Sequence, residues 1–238
     1  MEVHSRDRFC GHCGTTLAEH VKPAGDVFSV LTPSLTYYFV TLGLLATYKL
    51  TDLFPVTFES YLVVSTLDML IVIVFWTIAW QEVRPLLSFR GFKFSIAALV
   101  IMGALGGCLV VSIVADYINV SLFESTYSDS WMFVDTAYPL VFSILLTCAQ
   151  PAIFEEVAFR GFLFNNIQKI STPSGATYLT AFIFGIIHLS IISMLWLVPI
   201  GLAFAFLRVK YNTLWYGVIG HFTYNLGFAL LDYWEMAY

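Results

Sequence analysis

Ile153-Phe154-Glu155-Glu156-Val157-Ala158-Phe159-Arg160-Gly161 sets two adjacent carboxylates and an arginine inside a run otherwise fit for a lipid bilayer. On a helix, residues four apart share a face, whereas neighbours point about 100° apart. Glu156 and Arg160 are therefore partners, with the glutamate N-terminal to its cation, the more favourable order. Glu155 is left without a local partner. A charged group within a membrane span is costly, and its default reading is a functional site.

The rest of the chain agrees with a membrane setting. Of 238 residues, 59% are hydrophobic and 11% charged, with a mean hydropathy of +0.81. Soluble domains carry about 25% charged residues, so the composition excludes an ordinary soluble domain and predicts an all-α, polytopic membrane protein. The 22 Phe, 13 Tyr and 6 Trp suit lipid-facing surface and interfacial belts. The net charge of −5 says little about partners. The lipid bilayer is one partner, and no nucleic acid is expected.

Apolar segments of about 20 residues span a bilayer as helices. They fall near 33–50, 61–81, 94–118, 138–166, 175–189, 190–209 and 213–231, which predicts about seven, or eight, transmembrane helices. Three regions result: an N-terminal extension over 1–30, N-terminal transmembrane helices over 31–136, and a core over 137–231. The first two spans read as plain apolar helices. The third carries Gly103 and Gly107 at a spacing that lets another helix approach closely, so helix packing is their expected use. The fourth contains Pro151, which must free the carbonyl of Thr147. A kink there, just before Glu155, would open a polar pocket.

Nine lysines and arginines (Arg6, Arg8, Lys22, Arg84, Arg90, Lys93, Lys169, Arg208 and Lys210) fall on one side of a seven-span chain. Only Lys49 falls on the other. This bias predicts a cytoplasmic N-terminus and an external C-terminus. No signal peptide is visible in the polar first 30 residues. Those residues hold Cys10-Gly11-His12-Cys13, a knuckle suited to turning around zinc. Two thiolates make half a structural site. His4, His12 and His20, or a second copy of the chain, can supply the rest, and a reduced, unligated pair is the alternative.

Three more polar residues interrupt apolar helices: His188, and the pair His221 and Asn225, four apart on one face. Counted from the cytoplasmic helix ends at 1.5 Å per residue, Glu155 lies ~16 Å deep, His188 ~20 Å, His221 ~12 Å and Asn225 ~18 Å. Groups from three helices thus meet in one layer, which independent packing residues have no reason to do. Hydrolysis is the chemistry they suit. A carboxylate held among apolar helices is a better base near neutral pH. Glu155, helped by His188, can deprotonate a water aimed at a peptide carbonyl. His221 and Asn225 can donate hydrogen bonds to the tetrahedral oxyanion. Alternatively, Glu155, His188 and His221 can ligate Zn²⁺. The sequence leaves that choice open, and no serine or cysteine nucleophile stands out.

Glu155-Glu156-x-x-x-Arg160, Phe184-x-x-x-His188 and His221-x-x-x-Asn225, in that order, resemble the motifs of the CAAX-protease and bacteriocin-processing (CPBP) family. That family, also called Abi, includes the type II CAAX prenyl endopeptidases. The resemblance covers about 138–231. It implies an all-helical intramembrane endopeptidase in which the first Glu and first His activate water and the second His and the Asn form the oxyanion hole. The family has been described both as metalloproteases and as glutamate proteases. The expected substrate is a membrane peptide or protein, lipidated or not. Competing readings are a non-catalytic scaffold or bacteriocin-immunity-type protein of the same fold, and a transporter using buried charges as an ion relay.

Overall fold

In lipid an isolated apolar segment satisfies its backbone polar groups only as a helix, and helices make up every regular element among the described residues. The computed structural model describes residues 26–123 and 130–237. The knuckle at Cys10 and Cys13 lies outside them, as do His4, His12 and His20.

Among the described residues seven long helices follow in order: α1 Val27–Leu50, α2 Phe58–Ile78, α3 Phe94–Phe123, α4 Pro139–Gln168, α5 Pro173–Ile187, α6 Met194–Tyr211 and α7 Trp215–Ala237. Short helical turns, Trp80–Val83 and Arg84–Leu87, link α2 to α3. Each expected span has its helix, but only α1, α2, α3, α4 and α6 are long and apolar enough to cross a membrane by themselves. The 15-residue α5 is shorter, and α7 is interrupted by His221, Thr223 and Asn225. At 1.5 Å per residue α5 is about 22 Å long, less than the ~30 Å hydrocarbon core. Leu189 makes the turn at the end of α5 in the left-handed region, φ 54°, with its N–H on Ile186 O at 2.9 Å.

The residues that organise the sequence are also the centre of the core. All eight residues from Glu156 to Leu163 are buried. Around them pack Tyr37 of α1, Val72 of α2, Val83, Phe184 and Ile187 of α5, and Leu214. The apolar side chains exposed on α3, such as Leu99, Met102, Val110 and Ile113, face outward as a lipid-facing surface does.

Two sequence expectations change in detail. Gly103 and Gly107 meet nothing: a Cβ on either would find no atom within 4 Å. The close approach between α3 and α7 comes from the other helix. A Cβ at Gly220 would lie 2.9 Å from Val100 Cγ1, and one at Gly227 would lie 2.7 Å from Cys108 Sγ. The spacing was a true small-residue signal, but the rotation of α3 turns it outward. Pro151, in turn, does not break α4. Widened π turns at Ile144–Ala149 and Glu156–Leu163 flank it, and Gln150 keeps helical dihedrals of −61° and −55°. An extra residue per turn absorbs the proline and re-aims the side chains that follow, a device common at functional sites.

Candidate active site

Glu156 and Arg160 form the ion pair that helix spacing predicts. Arg160 Nη1 donates to Glu156 Oε1 at 2.8 Å, and both side chains are 1% exposed. A buried pair is costly unless its remaining hydrogen-bonding positions are filled, and these are filled only in part: Arg160 Nε and Glu156 Oε2 have no hydrogen-bond partner. Here Arg160 Nη2 donates to Gly201 O at 3.4 Å. Its guanidinium carbon lies 4.4 Å from the Phe184 ring centre and 5.5 Å from that of Phe204. The backbone is tied as well, since Arg208 Nε donates to Arg160 O at 3.2 Å.

His221 of α7 stands between the two carboxylates. Its Nδ1 is 3.3 Å from Glu156 Oε1, and its Nε2 is 3.8 Å from Glu155 Oε2. An ionised carboxylate only accepts hydrogen bonds, so the Nδ1 proton points at Glu156. Nε2 is then bare in the neutral ring and a donor only in the imidazolium. Glu156 is thus more than a counter-ion. It also orients the histidine, as outer carboxylates do for catalytic imidazoles.

Glu155, the glutamate without a helical partner, is 25% exposed in its side chain, and its Oε2 is buried with no hydrogen-bond partner. His188 caps α5 with Nδ1 on Phe184 O at 2.8 Å. A carbonyl can only accept, so Nδ1 carries the proton and Nε2 is left as an acceptor. Lys49 Nζ reaches the carbonyl of the same residue at 3.1 Å. Asn225 Nδ2 donates to Thr147 O at 2.9 Å, the carbonyl that Pro151 cannot serve. The asparagine expected at an oxyanion hole thereby mends the proline site in α4, and its second amide hydrogen is not used by that bond.

Glu155, Glu156, Arg160 and His221 are joined by these contacts; His188 is linked to Glu155 and His221 electrostatically, while Asn225 is tied to Thr147 of α4 rather than to any of them. The arrangement offers two acceptors, Glu155 Oε2 and His188 Nε2, and donors at His221 and Asn225. It suits activation of a water and stabilisation of a developing anion. Among the described residues no three His, Cys, Asp or Glu side chains are grouped so as to hold a metal ion, and whether Glu155, His188 and His221 ligate Zn²⁺ is for a chelator experiment to decide. No step is therefore drawn through one.

Two residues that matter here were passed over in the sequence. Gly217 of α7 packs directly on Glu156: a Cβ there would overlap Glu156 Oε2 and lie 3.1 Å from its Cδ. Asp68 interrupts α2, which had read as plainly apolar, and its Oδ1 is buried without a partner. The rule that singled out Glu155 applies equally to Asp68.

Gly217→Ala tests the packing. Glu156 is held by Arg160 and His221, so it cannot swing aside cheaply. The substitution is expected to cost roughly 1–3 kcal/mol, as overpacking in a tight core does, and to reduce activity along with thermal stability in detergent. An alanine variant as stable and active as the parent would show that Glu156 is free to move.

Residues 137–227 match the family model described as type II CAAX prenyl endopeptidase Rce1-like. No curated protein and no solved structure matches the chain. The matched segment contains α4, α5 and α6 whole and most of α7, and so holds the whole constellation from Glu155 to Asn225. With five helices able to cross a membrane, the chain is an integral membrane protein carrying an Rce1-like domain, consistent with a CPBP-family protease.

Proposed function

We propose, from a chain whose residues 137–227 match an Rce1-like endopeptidase domain, that this protein is an intramembrane endopeptidase hydrolysing a peptide bond of a membrane-associated protein or peptide. The observation that supports it most is the division of labour between adjacent carboxylates. Glu156 is wholly buried and bound to Arg160 and His221. Each glutamate keeps one buried oxygen without a hydrogen-bond partner, but Glu155 is 25% exposed and faces His221 Nε2 rather than Arg160. A structural ion pair needs only the first.

In this reading a water donates one hydrogen to Glu155 Oε2, and His188 Nε2 is an acceptor to which that proton can next be relayed. Glu155 takes the proton as the water oxygen attacks the peptide carbonyl carbon. His221, oriented by Glu156, donates Nε2–H to the oxyanion as an imidazolium, and the free amide hydrogen of Asn225 assists it. Collapse of the intermediate breaks the C–N bond, and the proton held on Glu155 passes to the leaving nitrogen. His188 lies near enough to Glu155 for the carboxylate to act on it electrostatically, which supports its place beside the base. A prenylated tail is a substrate only where the host prenylates proteins; otherwise a leader peptide or small membrane protein fits.

The reading is tested by comparing membrane peptidomes of cells carrying the wild-type chain and Glu155→Gln. One precursor is expected to accumulate in the variant and to be cut by the purified wild-type protein. Cleavage that persists in chelator assigns the reaction to the glutamate; loss restored by added Zn²⁺ assigns it to a metal. If no precursor accumulates, the protein is a scaffold of the same fold.

We also propose a cytoplasmic N-terminus and an external C-terminus, from the nine-to-one lysine and arginine bias. Reporter fusions in 119–137 and after Tyr238 are expected to read as external. A cytoplasmic reading at either site would break the seven-span arrangement.

A further inference from the structure

Four contacts fix how α2 lies along α4. Phe58 and Phe142 have ring centres 5.1 Å apart, and Tyr61 Oη donates to Leu146 O at 3.4 Å. Gln150 Nε2 donates to Ser65 O at 3.2 Å, and the Phe75 and Phe162 rings are 5.6 Å apart. The helices run in the same direction, with residue offsets of 84, 85, 85 and then 87. The increase comes where α4 widens at Glu156–Leu163. Asp68, three residues past Ser65 on the same face, therefore comes level with Ile153–Glu155.

Both carboxylates lack donors there. Asp68 Oδ1 and Glu155 Oε2 are each buried without a hydrogen-bond partner. Tyr37, one turn before Thr41, packs on Phe159 at 6.4 Å and Phe162 at 6.0 Å, and both Asp68 and Glu155 act on it electrostatically. Ionised carboxylates are acceptor-only and cannot satisfy one another. A water can donate one hydrogen to each, and a hydroxyl such as that of Thr41 can donate to its oxygen.

We propose that Asp68 is a positioning residue of the hydrolytic site, placed across from Glu155 by the α2–α4 register, where it holds the attacking water by its second hydrogen. This rests on the endopeptidase reading. During attack one O–H bond breaks and its proton moves to Glu155 as the new C–O bond forms. The other O–H stays on the attacking oxygen, hydrogen-bonded to Asp68, which is unchanged when the proton on Glu155 leaves with the amine. The water's lone pair is thereby aimed, and an aim lost by about 1 Å costs on the order of 10²-fold.

The test uses the full chain in lipid nanodiscs and a labelled synthetic peptide spanning the cleavage site of the precursor that accumulates with Glu155→Gln. Asp68→Asn is expected to lower kcat by about 10–100-fold with KM within about twofold and an unchanged unfolding temperature. A folded Asp68→Asn with wild-type kcat overturns the proposal, as does a raised KM at unchanged kcat. Should Asp68→Asn fail to insert, Asp68→Glu keeps the charge but moves it by one methylene. It is expected to lose kcat at constant KM, and a wild-type kcat overturns the proposal equally. If Glu155→Gln is dead and Asp68→Asn normal, this proposal alone falls. If both cleave normally, the endopeptidase reading falls with it.

Discussion

Glu155→Gln is expected to insert and fold like the wild-type chain and to lose hydrolysis by about 10²–10⁴-fold, the usual worth of a general base. The substitution keeps the shape of the side chain. It also keeps a side-chain oxygen facing His221 Nε2, which lies 3.8 Å from Glu155 Oε2. Stability therefore has little reason to fall, since the carboxylate oxygen that is lost has no hydrogen-bond partner. The measurements are turnover of the accumulating precursor and thermal unfolding in detergent. If Glu155→Gln cleaves at the wild-type rate while Glu156→Gln is folded and dead, the two glutamates have exchanged roles. If neither change affects cleavage, the chain is not a glutamate-dependent protease.

Arg160→Ala should damage the fold instead. It strands Glu156, which is 1% exposed, at a cost on the order of 3–5 kcal/mol for an uncompensated buried charge. It also removes a planar cation seated between Phe184 and Phe204, so a cavity adds to the loss. His221 remains beside Glu156 and offsets part of this only when protonated. Neutralising both partners, as Glu156→Gln with Arg160→Met, is expected to recover much of the stability. It is not expected to recover full activity, because Glu156 also orients His221 through Nδ1. Urea or thermal unfolding separates the two effects from turnover. A double variant as active as wild type would reduce Glu156 to a counter-ion.

Relations within one helix are legible in the amino-acid sequence. Four-residue spacing pairs Glu156 with Arg160 and leaves Glu155 over, and the ion pair at 2.8 Å follows that arithmetic. Spacing also sets His221 and Asn225 on one face, and the chemistry of proline alone says that Thr147 O needs another donor. Counting residues from the helix ends brings Glu155, His188, His221 and Asn225 into one layer. Composition suffices for an all-helical membrane protein, since lipid leaves an isolated apolar segment no other backbone solution.

Relations between helices are decided only by packing. That Asn225 is the donor to Thr147 O, that His221 turns Nδ1 to Glu156 rather than to Glu155, and that Asp68 stands level with Glu155 all depend on rotation and register. Those two quantities are set by which side chains interlock. They explain why Gly217, Gly220 and Gly227 make the close approaches while Gly103 and Gly107, spaced as well for the purpose, face away. A sequence fixes the angle between two residues on the same helix through a constant 3.6-residue period. It carries no comparable constant for the angle between one helix and the next, and that angle decides which charges meet.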